Sequence, residues 1–296
     1  MGITDAVGFN GRSGSLAVGG VAVVALLALS VAALSAGLWK VTTIAWVAFT
    51  AMGGGIPLGV RAATRTADAT GTDHEFGARR LVWGYGLASG AMIASAAAFL
   101  LPQAIGLHPK LGGFGVAAGI LIGFASHVVG HRLAHLDLPF DRTAAHLSAH
   151  ALSAGLIIGL VYGTMSEVGL LLGLAIVSHK GPAGYAAARR LARNGRDATV
   201  LLLPAAGVGL TAIPGAYVGL PSIPTINAAV FGFAAGIFLH VAMDFLPRCE
   251  IGSEVTEVAG IEAADHGLLD RLRLHAVAST FLGGAVVFAA WAVLGF

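Results

Sequence analysis

Two neighbouring stretches decide how this chain reads: AAHLSAHALSAGLIIGLVYG, residues 144 to 163, and MSEVGLLLGLAIVSHKGPAGYAAA, residues 165 to 188. Each meets the roughly 20 predominantly apolar residues that an α-helix needs to cross a hydrocarbon core. Working outward, runs of similar length fall near residues 16 to 38, 41 to 60, 81 to 105, 111 to 130, 198 to 219, 225 to 247 and 274 to 295, which makes nine candidate spans. The expected fold is therefore all-α, a polytopic membrane helix bundle of about nine transmembrane helices. Composition agrees, because a chain of 296 residues that is 56% hydrophobic and 11% charged cannot cover a soluble surface of that size. Forty-three glycines beside abundant alanine suit helices that approach closely in a bilayer, where no hydrophobic effect drives association.

A formal charge of +2, with no basic run interleaved with aromatics, gives no reason to expect a nucleic-acid partner. Cys249 is the single cysteine, so no internal disulfide can form. Arg12 precedes the first apolar run, and Ala32, Ala33, Ser35 and Ala36 end it, which is the layout of a secretory signal. The run exceeds the usual signal core, and a retained anchor is the reading adopted.

Lysines and arginines fall almost wholly on alternate sides of these spans. Arg12, Arg61, Arg65, Arg79, Arg80, Arg132, Arg142, Arg189, Arg190, Arg193, Arg196, Arg248, Arg271 and Arg273 share one side, and only Lys40 and Lys110 lie on the other. The positive-inside rule then predicts a cytoplasmic N-terminus and an outward C-terminus, in the plasma membrane. The acidic segment from Glu250 to Asp270 reads as a solvated cytoplasmic loop.

Few ionisable groups remain well inside spans: His150, His179, Lys180, His240 and Asp244. A charge at mid-bilayer costs roughly 2.5 to 3.5 kcal/mol on insertion scales, so each should face a partner or a watery cavity. His150 and His179 are each followed five residues later by a glycine, Gly155 and Gly184. Pro182 carries no N–H and leaves the carbonyl of Ser178 without its helical partner, so the sixth span should kink beside His179. Broken backbone at membrane depth is tolerated where it lines a cavity, and its carbonyls can help hold a cation. Ser153 and Ser178 stand close enough in sequence to assist.

These motifs resemble the ZIP family of metal-ion transporters. That family's metal pathway lies between helices carrying His-Asn-x-x-Asp-Gly and His-Glu-x-Pro-Glu-Gly, and this chain has His150-Ala151-Leu-Ser-Ala154-Gly155 and His179-Lys180-Gly-Pro182-Ala183-Gly184. Gly84 through Phe99-Leu-Leu-Pro102-Gln103 is similar to the family's helix ending in Leu-Leu-Pro-Glu. Gly236 through His240-Val-Ala-Met-Asp244-Phe-Leu-Pro247 is similar to its penultimate helix, and Ile213-Pro214-Gly215 stands where Glu-Pro-Leu-Gly is frequent. The resemblance covers residues 41 to 295. It implies an eight-helix transport domain over residues 41 to 296, preceded by a tail and extra helix over residues 1 to 40.

The resemblance implies transport of a divalent metal ion, zinc or a close neighbour, as substrate. It also implies no tightly bound cofactor and no catalytic residues, with lipid and the ion as partners and a homodimer as an allowed assembly. The family's Asn, Asp and two Glu ligands are here Ala151, Ala154, Lys180 and Ala183, so His150 and His179 are what remains of the metal site. Lys180, as a fixed ammonium, would replace one cation and pair with Asp244 or donate to a carbonyl. His127, His131 and His135 form an i, i+4, i+8 stripe followed by His146, where the family often has a histidine-rich cytoplasmic loop, and could capture metal.

Three other readings compete. The histidines could simply glue helices as satisfied polar groups. The scaffold could have lost ordinary metal transport and serve as a regulator or carry another solute. An intramembrane enzyme or haem protein is disfavoured, since no nucleophile and base stand in a recognisable pattern and no second clear pair of histidines stands at bilayer spacing.

Overall fold

The computed structural model describes residues 4–65, 71–133, 142–164, 170, 173, 177, 179–218, 223–251, 253–260 and 266–294. Among them every regular element is helical. The helices are α1 (Thr4–Ser35), α2 (Trp39–Arg65), α3 (Gly71–Ser95), α4 (Leu101–Leu107), α5 (Pro109–Leu133), α6 (Arg142–Thr164), α7 (Lys180–Arg193), α8 (Leu202–Val218), α9 (Pro224–Asp244), α10 (Glu254–Ala259) and α11 (His266–Leu294). A 3₁₀ turn, Ala198–Leu201, leads into α8.

Seven helical stretches among the described residues are long and apolar enough to cross a membrane: Leu16–Ser35, Trp39–Thr64, His74–Leu107, Thr143–Gly163, Ala198–Val218, Pro224–Asp244 and Gly267–Val293. They match seven of the nine expected runs. The run at 111 to 130 lies in α5, whose apolar stretch Pro109–Ala125 is shorter, and the run at 165 to 188 is described only at residues 170, 173, 177 and 179–188. Large apolar side chains point outward along these helices, with Val31 71%, Phe281 76% and Val293 83% exposed. Faces of this kind would drive aggregation in water and are at ease against lipid tails. The chain is an all-α polytopic bundle.

Its contacts divide it into two compact units, each assembled from two separated stretches of chain. The first holds residues 1–65 and 132–220, with α1, α2, α6, α7 and α8. Small residues set its seams. Gly55 and Gly59 of α2 face Gly181, Tyr185 and Arg189 of α7; a Cβ at Gly55 would lie 2.5 Å from the carbonyl oxygen of Gly181 and 2.8 Å from the nitrogen of Tyr185. Only a residue without a side chain allows that approach. The pairing also shows that α2 and α7 run parallel. Gly155, Gly159 and Gly163 of α6 face Val208, Ala212 and Ala216 of α8 in the same parallel sense.

A polar link ties α1 to α2. The Ser30 hydroxyl donates to the Leu26 carbonyl at 2.7 Å and accepts from Trp46 Nε1–H at 3.0 Å. Ser30→Ala should leave the indole N–H unmatched and cost about 1 kcal/mol, in line with hydrogen bonds between membrane helices. Denaturant titration of the variant in mixed micelles reads that loss, and no change would mean the indole finds another acceptor.

The second unit holds residues 66–131 and 221–296, with α3, α4, α5, α9, α10 and α11. Gly86 and Gly90 seat α3 on α11 beside Ser279 and Thr280, and Gly115 and Gly119 seat α5 on α9 beside Ala229 and Phe233. Between α3 and α4 the chain makes one π turn, Ala96–Leu100, in which the Leu101 N–H donates to the Ala96 carbonyl five residues back. Pro102 follows at once. A proline ring clashes with the carbonyl four residues earlier, and a widened turn accommodates it without ending the helix.

Candidate functional site

The first unit contains both histidines singled out in the sequence. Val177 is helical, His179 forms a turn, and α7 begins at Lys180 with His179 as its cap residue. Pro182 is the third residue of α7, in the first turn, where helical N–H groups have no partner inside the helix to lose. The backbone therefore breaks beside His179, and the His179 carbonyl accepts the Ala183 N–H at 3.1 Å.

His150 approaches from α6. The two imidazole rings stand 5.7 Å apart between centroids, at an interplanar angle of 63°. His179 is 2% exposed. A Zn–N bond is about 2.0 to 2.1 Å, so two imidazoles sharing one ion place their centroids roughly 5 to 6 Å apart, and the observed spacing falls in that window. Gly181, two residues after His179, lies against Gly55 of α2.

The other expected participants fall as follows. Lys180 is 3% exposed. Asp244 belongs to the second unit, where its carboxylate lies 3.3 Å from His240 Nε2 and 3.8 Å from the Arg248 guanidinium. Ser153 is exposed, and its hydroxyl lies 3.0 Å from the carbonyls of both Ala149 and His150, its own helix's oxygens. Ser178 and His135 lie outside the described residues, as do the side chains of His127, His131 and His146. Among the described residues no three of His, Cys, Asp or Glu converge.

Tyr162, three turns beyond His150 on α6, accepts the Gly173 N–H at 3.1 Å and so ties α6 to the sixth span. Sequence reasoning missed Arg189. It was counted among loop arginines, yet α7 continues to Arg193 and leaves Arg189 only 5% exposed. The helical continuation of Ala186-Ala187-Ala188, with Leu191 beyond the arginine pair, was the available signal. Cys249, just past α9, is buried, and burial pushes its thiol pKa up while Arg273 pulls against that shift.

No known protein family matches the chain, and no curated protein matches it either.

Proposed function

We propose that the chain is a ZIP-like membrane carrier of a divalent metal ion, zinc or a close neighbour, and that it works with a reduced site whose protein ligands are His150 and His179. One observation carries this reading. Two imidazoles from different helices meet at a proline-associated backbone break, at a spacing one ion can bridge. Neutral imidazole suits zinc and its neighbours better than magnesium or calcium, which prefer oxygen. Two nitrogens leave coordination positions for water or backbone oxygen, so binding would be weak and exchange fast, as passage through a carrier requires. In this reading one helix group rocks against another, the N-terminus is cytoplasmic, the C-terminus is outside, and the membrane is the plasma membrane. The chain has no enzymatic role.

Reconstituted vesicles test it. Purified protein should admit zinc or cadmium saturably into vesicles loaded with a metal-sensitive dye, above the leak of protein-free vesicles. Absence of uptake for every divalent ion tried would end the carrier reading.

A second reading has its own support. A buried Lys180 beside His179, with no convergence of three ligating side chains among the described residues, fits a scaffold that no longer carries metal and instead regulates or moves another solute. An edge-to-face pair of histidines is also ordinary packing at this spacing. Isothermal titration separates the two readings. Zinc binding that disappears in a double variant, His150→Ala with His179→Ala, belongs to the first, and a wild-type protein that releases no heat belongs to the second.

A further inference from the structure

The first unit has one strongly basic end. Because α2 and α7 run parallel, their C-terminal ends coincide, and they carry Arg61, Arg65, Arg189, Arg190 and Arg193, with Arg196 just beyond. The α6 start at Arg142 joins them, since Ala144 and Leu147 of α6 pack in one apolar cluster with Ala187, Ala188 and Leu191 of α7. At the opposite end of α2 the only charge is Lys40. Arginines at helix C-termini ordinarily answer the helix dipole from solvent, and exposed Arg61 and Arg190 fit that role.

Arg189 does not. It is 5% exposed, its Nε is fully buried without a hydrogen-bond partner, and its backbone lies against Gly59 on the α2 seam. Among the described residues no carboxylate pairs with it. Asp197, the nearest acid along the chain, accepts the N–H and the hydroxyl of Thr199. Leaving a buried donor of a guanidinium without an acceptor is costly, and the group stays charged at any accessible pH. What satisfies it should be anionic, planar or tetrahedral in its oxygens, and present at the depth where membrane helices end.

We propose that Arg189, with Arg193 one turn further on the same face of α7, forms a binding site for a phosphate group at the basic end of the first unit. A guanidinium fork receives two phosphate oxygens at once, and Nε supplies one of the two parallel donors. The phosphate of an anionic lipid headgroup and free inorganic phosphate share this chemistry. The site stands apart from the metal-carrier reading and needs neither His150 nor His179.

The test is thermal unfolding of the purified full chain in detergent, titrated separately with phosphatidylglycerol, phosphatidylcholine and inorganic phosphate. Phosphatidylglycerol should raise Tm by several degrees while phosphatidylcholine does not. Arg189→Gln should lose at least half of that shift, and Arg190→Gln, which removes an equal charge from an exposed neighbour, should keep it. If Arg189→Gln does not fold, Arg189→Lys, which retains charge but lacks the fork, should lose at least half of it. A shift produced by inorganic phosphate alone, and lost in the Arg189 variant, also supports the site and assigns its occupant to the aqueous phase. Equal responses to both lipids with none to phosphate, or Arg189 variants that respond like wild type, overturn the proposal.

Discussion

His179→Ala should lower saturable zinc uptake into vesicles by at least tenfold while the protein still folds and reconstitutes. Loss of a group that merely orients a ligand typically costs 10- to 100-fold in metal affinity. A site with only two protein nitrogens has nothing in reserve when one is removed. The ring also sits at a helix start, outside the hydrogen-bonded body of α7, so its removal leaves the backbone contacts of Ala183 intact. His275→Ala provides the control. That imidazole accepts Trp83 Nε1–H at 3.2 Å in the second unit, and its loss should leave uptake within twofold of wild type. Equal uptake by wild type and His179→Ala would remove the histidine pair from the transport reading.

The second large effect lies in the seam rather than the site. Gly55→Val places branched carbon where Gly181 and Tyr185 already approach within 2.5 and 2.8 Å of the added Cβ, and both contacts are backbone, which cannot swing aside. Overpacking of this kind costs about 1 to 3 kcal/mol, and rigid backbone on both sides argues for the upper part of that range. Gly54→Val is the matched comparison, because a Cβ there meets nothing within 4 Å. Denaturant unfolding in mixed micelles should separate the two variants by more than 1 kcal/mol. Gly55→Val should also depress uptake, since the displaced backbone at Gly181 is two residues from His179. Matching stability of the two variants would mean that α2 and α7 are not in contact along this seam.

Much of the architecture was legible because membrane spans obey a simple physical rule. Length and apolarity decide them, so runs such as 198 to 219 and 225 to 247 could be bounded from composition and appear as helices Ala198–Val218 and Pro224–Asp244. The break beside His179 was legible for a different reason: Pro182 has the same stereochemistry in any context. Partner choice was not legible. Asp244 lies within reach of His240 on its own helix and of Arg248 in the turn after it, contacts that sequence distance alone could not rank. Ser153 likewise spends its hydroxyl on carbonyls one turn back, the common fate of a helical serine, which spacing to His150 could not reveal. The burial of Arg189 escaped detection because counting charges by side records only where a residue falls along the membrane normal. The π turn at Ala96–Leu100 left no mark in an alanine-rich run, although Pro102 hinted that the ladder must adjust.

The solitary thiol offers an experimental convenience. Maleimides and methanethiosulfonates attack thiolate, and Cys249 is buried, with burial pushing its thiol pKa up, so the unmodified chain should behave at neutral pH almost as a cysteine-free background. Cysteines introduced singly near Lys40 or Lys110 and near Arg196 would then report which compartment each turn faces, through impermeant reagents applied to intact cells.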